Sequence, residues 1–163
     1  MAACYALGLT RGLHMTDPDQ TFRALHDQVV AIAGARLFTV TRIDRPAGLA
    51  RRIYTSHPAD YPASGTKPIQ PDGWTAQVID GQTSFVANAT AGFAVYFPDH
   101  ALINRLGCQS ALNVPVIEAG QTIATVNILD DAGRFTPETV ARVERLLAAQ
   151  HAGLVAAIWA SPL

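Results

Sequence analysis

The chain has 163 residues, 49% of them hydrophobic, which is the size of one ordinary domain with enough apolar mass for a single core. Only 15% are charged, with 12 Lys and Arg against 13 Asp and Glu, so no field of one sign exists to recruit nucleic acid or an anionic membrane. Two cysteines, Cys4 and Cys108, are too few for a disulfide framework or an all-cysteine zinc site, and a reducing cytoplasm suits them. Residues 1–14 have neither a cationic start nor a long apolar run, so no secretory signal or membrane anchor is expected.

Residues 1–16 read as an N-terminal extension, 17–160 as one domain and 161–163 as a tail. Asp17 and Pro18 pair a cap residue with a proline at the first helical position, and Phe22, Leu25, Val29 and Ile32 then recur at helical spacing until Gly34. Leu37 to Ile43 is β-branched and aromatic, a strand, and Pro46 with Gly48 turns it into an extended partner over 51–57. From His57 to Pro71 neither period persists, which predicts an irregular crossover. A short helix is expected over 72–79, a short strand over 84–87 and a helix from His100 to Leu106. Strands over 109–117 and 122–129 flank a tight hairpin at Ala119-Gly120. Thr136-Pro137-Glu138 is a cap, a proline and an acidic first turn, and predicts one last helix running to about Ala160. The order predicts an α+β fold with an antiparallel sheet, the first and last helices lying together on one face.

In this order the chain resembles a GAF domain, a small-molecule sensing module. The resemblance is carried by Gly107-Cys108-Gln109-Ser110-Ala111-Leu112-Asn113-Val114-Pro115-Val116, Gly120, Ile123 to Leu129, and Phe135-Thr136-Pro137-Glu138, with Trp74 to Val78, Gly81 and Phe85-Val86 upstream. It implies a central antiparallel sheet, terminal helices on one face, and short helices and loops forming a pocket on the other. Members that bind cyclic nucleotides carry an asparagine-lysine pair, a phenylalanine and an aspartate-glutamate pair, whereas here Ile128 follows Asn127 and Thr139-Val140 stand at the acidic positions. Bilin-binding members attach their chromophore to a cysteine immediately before a histidine, and Asp99 precedes His100. The related methionine-sulfoxide reductases use three cysteines, of which only Cys108 has a counterpart in the relevant region.

Strand alternation gives a pocket reading independent of the resemblance. Leu37, Thr39, Thr41 and Ile43 share one face of the first strand, and Ile123, Thr125, Asn127 and Leu129 share one face of the last. With Asn113, the residues Thr39, Thr41, Thr125 and Asn127 interrupt strands that otherwise look buried. They either bond a ligand or find partners within the protein. Tyr54, Tyr61, Trp74, Phe93, Tyr96 and Phe97 are aromatic wall candidates, or ordinary core under long loops. His57 and His100 are polar candidates, although His100 also reads as a first helical turn capped by Asp99. Cys108 is either a buried apolar residue or a thiol activated by Arg105.

No Ser/His/Asp arrangement, phosphate loop or metal spacing stands out, and no cofactor is expected. The expected function is a cytoplasmic sensor, more a binding module than an enzyme. It would bind an unidentified small organic ligand and signal through its terminal helices to a separate effector protein. The alternative is a thiol-based redox sensor or methionine-sulfoxide-reductase-like enzyme using Cys108. Neither nucleic acid nor membrane is expected as a partner. The apolar end of the last helix predicts a homodimer with Trp159 or Leu154 in its interface.

Overall fold

A computed structural model describes residues 17–63 and 65–162. The expected N-terminal extension, with Cys4, lies outside them. Helix α1 (Pro18–Ala33) starts at the Asp17 cap, whose side chain accepts from the Asp19 amide, and ends at Gly34. Strands β1 (Leu37–Asp44), β2 (Leu49–Thr55) and β3 (Thr66–Pro68) follow, then a widened helical turn at Thr75–Asp80, which Gly81 closes by donating to the Ala76 carbonyl five residues back. Next come β4 (Phe85–Ala87), the short helices α2 (Thr90–Phe93) and α3 (His100–Arg105), and β5 (Ser110–Glu118) paired with β6 (Gln121–Asp130). Ala119 and Gly120 both have positive φ, 48° and 75°, the backbone a two-residue hairpin requires. Helix α4 (Pro137–Ala149) is capped by Thr136, whose hydroxyl accepts from the Thr139 amide, and α5 (His151–Ala160) completes the fold.

The six strands form one antiparallel sheet in the order β3-β2-β1-β6-β5-β4. Helices α1, α4 and α5 cover one face. There Phe22, Leu25, Val29, Val143, Leu147 and Ile158 pack on Phe38, Val40, Leu112, Val126 and Ile128. Each such side chain, fully buried, contributes roughly 1.5–3 kcal/mol, so this layer holds most of the apolar driving force. A second core on the opposite face gathers Leu37, Val78, Phe85, Phe93, Ile103, Cys108 and Leu129 under the crossover segments.

Four expectations change. The crossover expected to be irregular contains β3, whose three residues are too few to show a period and whose Pro68 is tolerated at a sheet edge. Helix α2 is a single turn, also below the reach of pattern reading. The last helix is two, stepping at Gln150; α5 is apolar nearly all round, so no change of stripe marks the step. Finally, Ile123 does not share a face with Thr125. The β5–β6 register runs from Val116 opposite Ala124 to Ile117 opposite Thr122, which leaves Ile123 as a bulge turned toward the helices.

Candidate functional site

A cavity of about 460 Å³ opens on the sheet face away from the terminal helices. Its floor is a row across three strands. Thr39 stands opposite Asn127 in the β1–β6 ladder, and Asn127 opposite Asn113 in the β5–β6 ladder. Thr41 and Thr125 form the adjacent pair. Asn127 Nδ2 lies 3.2 Å from both Thr39 Oγ1 and Thr41 Oγ1, to which it donates, and Asn127 Oδ1 accepts from Asn113 Nδ2 at 2.9 Å. Asn113 Oδ1 in turn accepts from the Trp74 indole at 2.8 Å. Thr39, Thr41, Asn113 and Asn127 are thus partnered within the protein, and together with Thr125 they line the cavity.

The walls come from the crossover segments. Trp74, just ahead of the widened turn, meets Phe97 edge-on at 6.4 Å between centroids, and Tyr96 meets Phe85 edge-on at 5.7 Å. Trp74, Tyr96, Phe97, Ile79, Ile103 and Leu129 all face the open space. Along the rim, β3 brings Lys67 within 3.2 Å of Asp99, and the Tyr61 hydroxyl donates to the same carboxylate oxygen at 2.5 Å. Burial works to raise the Asp99 carboxyl, but the Tyr61 hydrogen bond and the Lys67 ammonium outweigh it and hold the group below its ordinary value. Burial drives the Tyr61 phenol upward; the Asp99 charge adds to this and Arg52 opposes it. Arg52 lies over the Tyr61 ring with Cζ 3.5 Å from its centroid.

Of the predicted site residues, Thr39, Thr41, Tyr61, Trp74, Tyr96, Phe97, Asn113, Thr125 and Asn127 come together around the cavity. Four do not. Tyr54 pairs with Val40 on the helical face and packs on Phe22 and Phe38, because a bulge at Ile53 shifts the alternation of β2. Phe93 is fully buried behind Phe97. His100 turns its Nδ1 back to the Phe97 carbonyl at 2.9 Å, and Asp99 serves the rim instead of capping that helix. Cys108 is 0% exposed in the second core. Its thiol is pushed up to about 11, first by burial and then by Asp130, with Arg36 rather than Arg105 as the opposing cation. His57 contacts the Ser56 hydroxyl through Nδ1 at 2.9 Å and does not line the cavity.

The rim charges Arg52, Lys67 and Asp99 escaped the sequence reading. Lys67, the only lysine of the chain, was the one signal on offer, but its partner lies 32 positions away. Among the described residues no group of three or more His, Cys, Asp or Glu is placed to hold a metal ion, and no helix is long and apolar enough to cross a membrane.

The fold has well-covered counterparts of low sequence identity. The GAF domain/HD domain protein from Geobacter sulfurreducens matches with a TM-score of 0.67 at 14% identity, over 86% of this chain and 93% of that one. The GAF domain of a two-component sensor histidine kinase from Bacillus halodurans matches with 0.68 at 10%, over 84% and 92%. The phycoerythrobilin-bound GAF domain from a cyanobacterial phytochrome matches with 0.64 at 12%, over 88% and 87%. No curated protein matches the chain. At the level of sequence, the family model described as GAF domain matches residues 15–155, and with the antiparallel sheet, the one-sided terminal helices and the cavity opposite them, this chain belongs to the GAF domain family.

Proposed function

We propose that this GAF domain is a cytoplasmic sensor module that binds a small organic molecule in the cavity and passes its occupancy to the terminal helices. The observation that carries the reading is the combination of a cavity of about 460 Å³ with a hydrogen-bonded polar floor and aromatic walls, within the size range and chemistry of small-molecule sites. A route to the helices follows from the pleat. Val126 and Ile128 flank Asn127 on β6 and point the other way, into the core beneath α1, α4 and α5. A ligand that respaces the Thr39–Asn127–Asn113 row shifts those side chains too. Native mass spectrometry of the chain purified from its host tests the reading. A mass increment released by denaturation is the expected result, and a bare chain at every purification stage counts against it.

The thiol alternative has weaker support, since Cys108 is enclosed and its thiol is disfavoured as a thiolate.

The homodimer is retained as a proposal, with Trp159 rather than Leu154 in its interface. Leu154 is 2% exposed within the chain's own core, whereas Trp159 on α5 is 49% exposed and Val30 on α1 is 47%. Large apolar side chains on the outer helical layer favour a second copy as their cover.

A further inference from the structure

The cations at the rim are unevenly partnered. Lys67 is neutralised by Asp99, which also accepts from Tyr61. Arg52 has no carboxylate within ion-pair distance among the described residues. One side of its guanidinium is engaged: Nη1 donates to the Pro62 carbonyl at 2.8 Å, and the plane rests on Tyr61. The opposite edge, Nε with Nη2, has no acceptor among the described residues, and Nε is shielded from solvent. A buried N–H without an acceptor is rare in folded proteins and marks a place where something else completes the bond. Arg52 stands opposite Thr41 in the β1–β2 ladder, so it rises from the same sheet face as the polar row and lines the cavity.

We propose that the cavity takes a small organic monocarboxylate held by Arg52, one oxygen on Nη2 and the second on Nε once the side chain turns that enclosed edge toward the cavity, with its apolar body against Trp74, Phe97, Ile103 and Leu129. The inference rests on the reading of the cavity as a ligand site and names the class of ligand. The guanidinium edge offers two parallel N–H groups at the spacing of carboxylate oxygens, which an ammonium does not. One uncommitted positive charge matches a monoanion. A phosphate dianion would face Asp99 and Asp72 at the rim with half its charge uncompensated. Thr39 and Thr41 each accept from Asn127, which leaves their hydroxyl hydrogens to donate to a further oxygen on the ligand.

The test pairs 2-naphthoate with its neutral isostere 2-naphthamide on the full chain. Affinity is read by calorimetry, and occupancy by the Trp74 indole N–H resonance, assigned with Trp159→Phe. The expected result is a Trp74 shift with naphthoate, binding at least tenfold tighter than naphthamide, and loss of that preference in Arg52→Gln. Arg52→Lys, which keeps the charge without the fork, should retain only part of it. If Arg52→Gln does not fold, the comparison of acid and amide on the wild type decides alone. Equal affinity of the two probes with a Trp74 shift overturns the carboxylate inference and leaves the cavity a ligand site. No Trp74 shift with either probe also overturns it, and a small molecule retained in native mass spectrometry would then still uphold the broader reading.

Discussion

Asn113 and Asn127 face each other across the β5–β6 ladder, and the Asn113 amide donates to Asn127 Oδ1 at 2.9 Å. The direction of this bond is set from one end. An indole N–H can only donate, so Trp74 obliges Asn113 to present its oxygen, and Asn113 must then turn its NH₂ to Asn127. Asn127 passes the same polarity on to Thr39 and Thr41. The row is thus a single oriented chain from the crossover to β1; Asn113 keeps one N–H and one lone pair beyond it, whereas Asn127 spends both N–H groups and keeps one lone pair.

Asn127→Ala removes the middle of that chain and leaves the Asn113 amide without its acceptor. A loss of about 1–3 kcal/mol in stability is expected, the usual penalty for a buried polar group left unpaired. Urea denaturation measures it, and an unchanged midpoint would mean that the row contributes nothing net.

Asp99 gives the rim a pH dependence of definite sign. Its folded value is depressed, so the stability it contributes is fully present above its ordinary value, near roughly pH 4, and is lost as pH falls through the folded value. Tyr61→Phe removes the hydrogen bond that does most to lower it. The difference in stability between wild type and Tyr61→Phe should therefore be constant at neutral pH and shrink on acidification below about pH 4. A gap that widens on acidification would contradict the assignment.

Cys108 should resist alkylation in the folded protein. Iodoacetamide at neutral pH, followed by peptide mass mapping, is expected to leave the Cys108 peptide unmodified until denaturant is added, because the thiol is enclosed and held at about 11. Since that value is raised on folding, its stabilising contribution is present at neutral pH and declines as pH climbs from about 8.5 toward the folded value. Rapid native labelling of this peptide would reopen the thiol chemistry.

Sedimentation at micromolar concentration should show a dimer that Trp159→Glu shifts toward monomer with unchanged circular dichroism. Trp159 donates to Glu118 at 2.6 Å and lies under Arg42 at 4.5 Å, but it contributes nothing to the enclosed core, so this change spares the fold. Leu154→Asp buries a charge in that core and should unfold the chain instead. A monomeric wild type ends the dimer proposal.

What the sequence determined by itself is local chemistry with a period. Asp17-Pro18 and Thr136-Pro137 announce helix starts because a cap oxygen and a proline without its N–H suit the first turn, whatever packs above them. The two-residue repeat put Thr39, Thr41, Thr125 and Asn127 on one strand face, and the tertiary structure keeps them there. The α+β class follows from the same periods. Only the tertiary structure decided where alternation breaks. Ile53 and Ile123 are ordinary strand residues in the sequence, yet each bulge turns its neighbours, which moved Tyr54 and Ile123 to the helical face and left Arg52 on the cavity face. The rim was equally hidden. Arg52 with Tyr61 and Lys67 with Asp99 are contacts between segments of no period, and such contacts are set by how the crossover folds back on a finished sheet rather than by any residue's nearest neighbours.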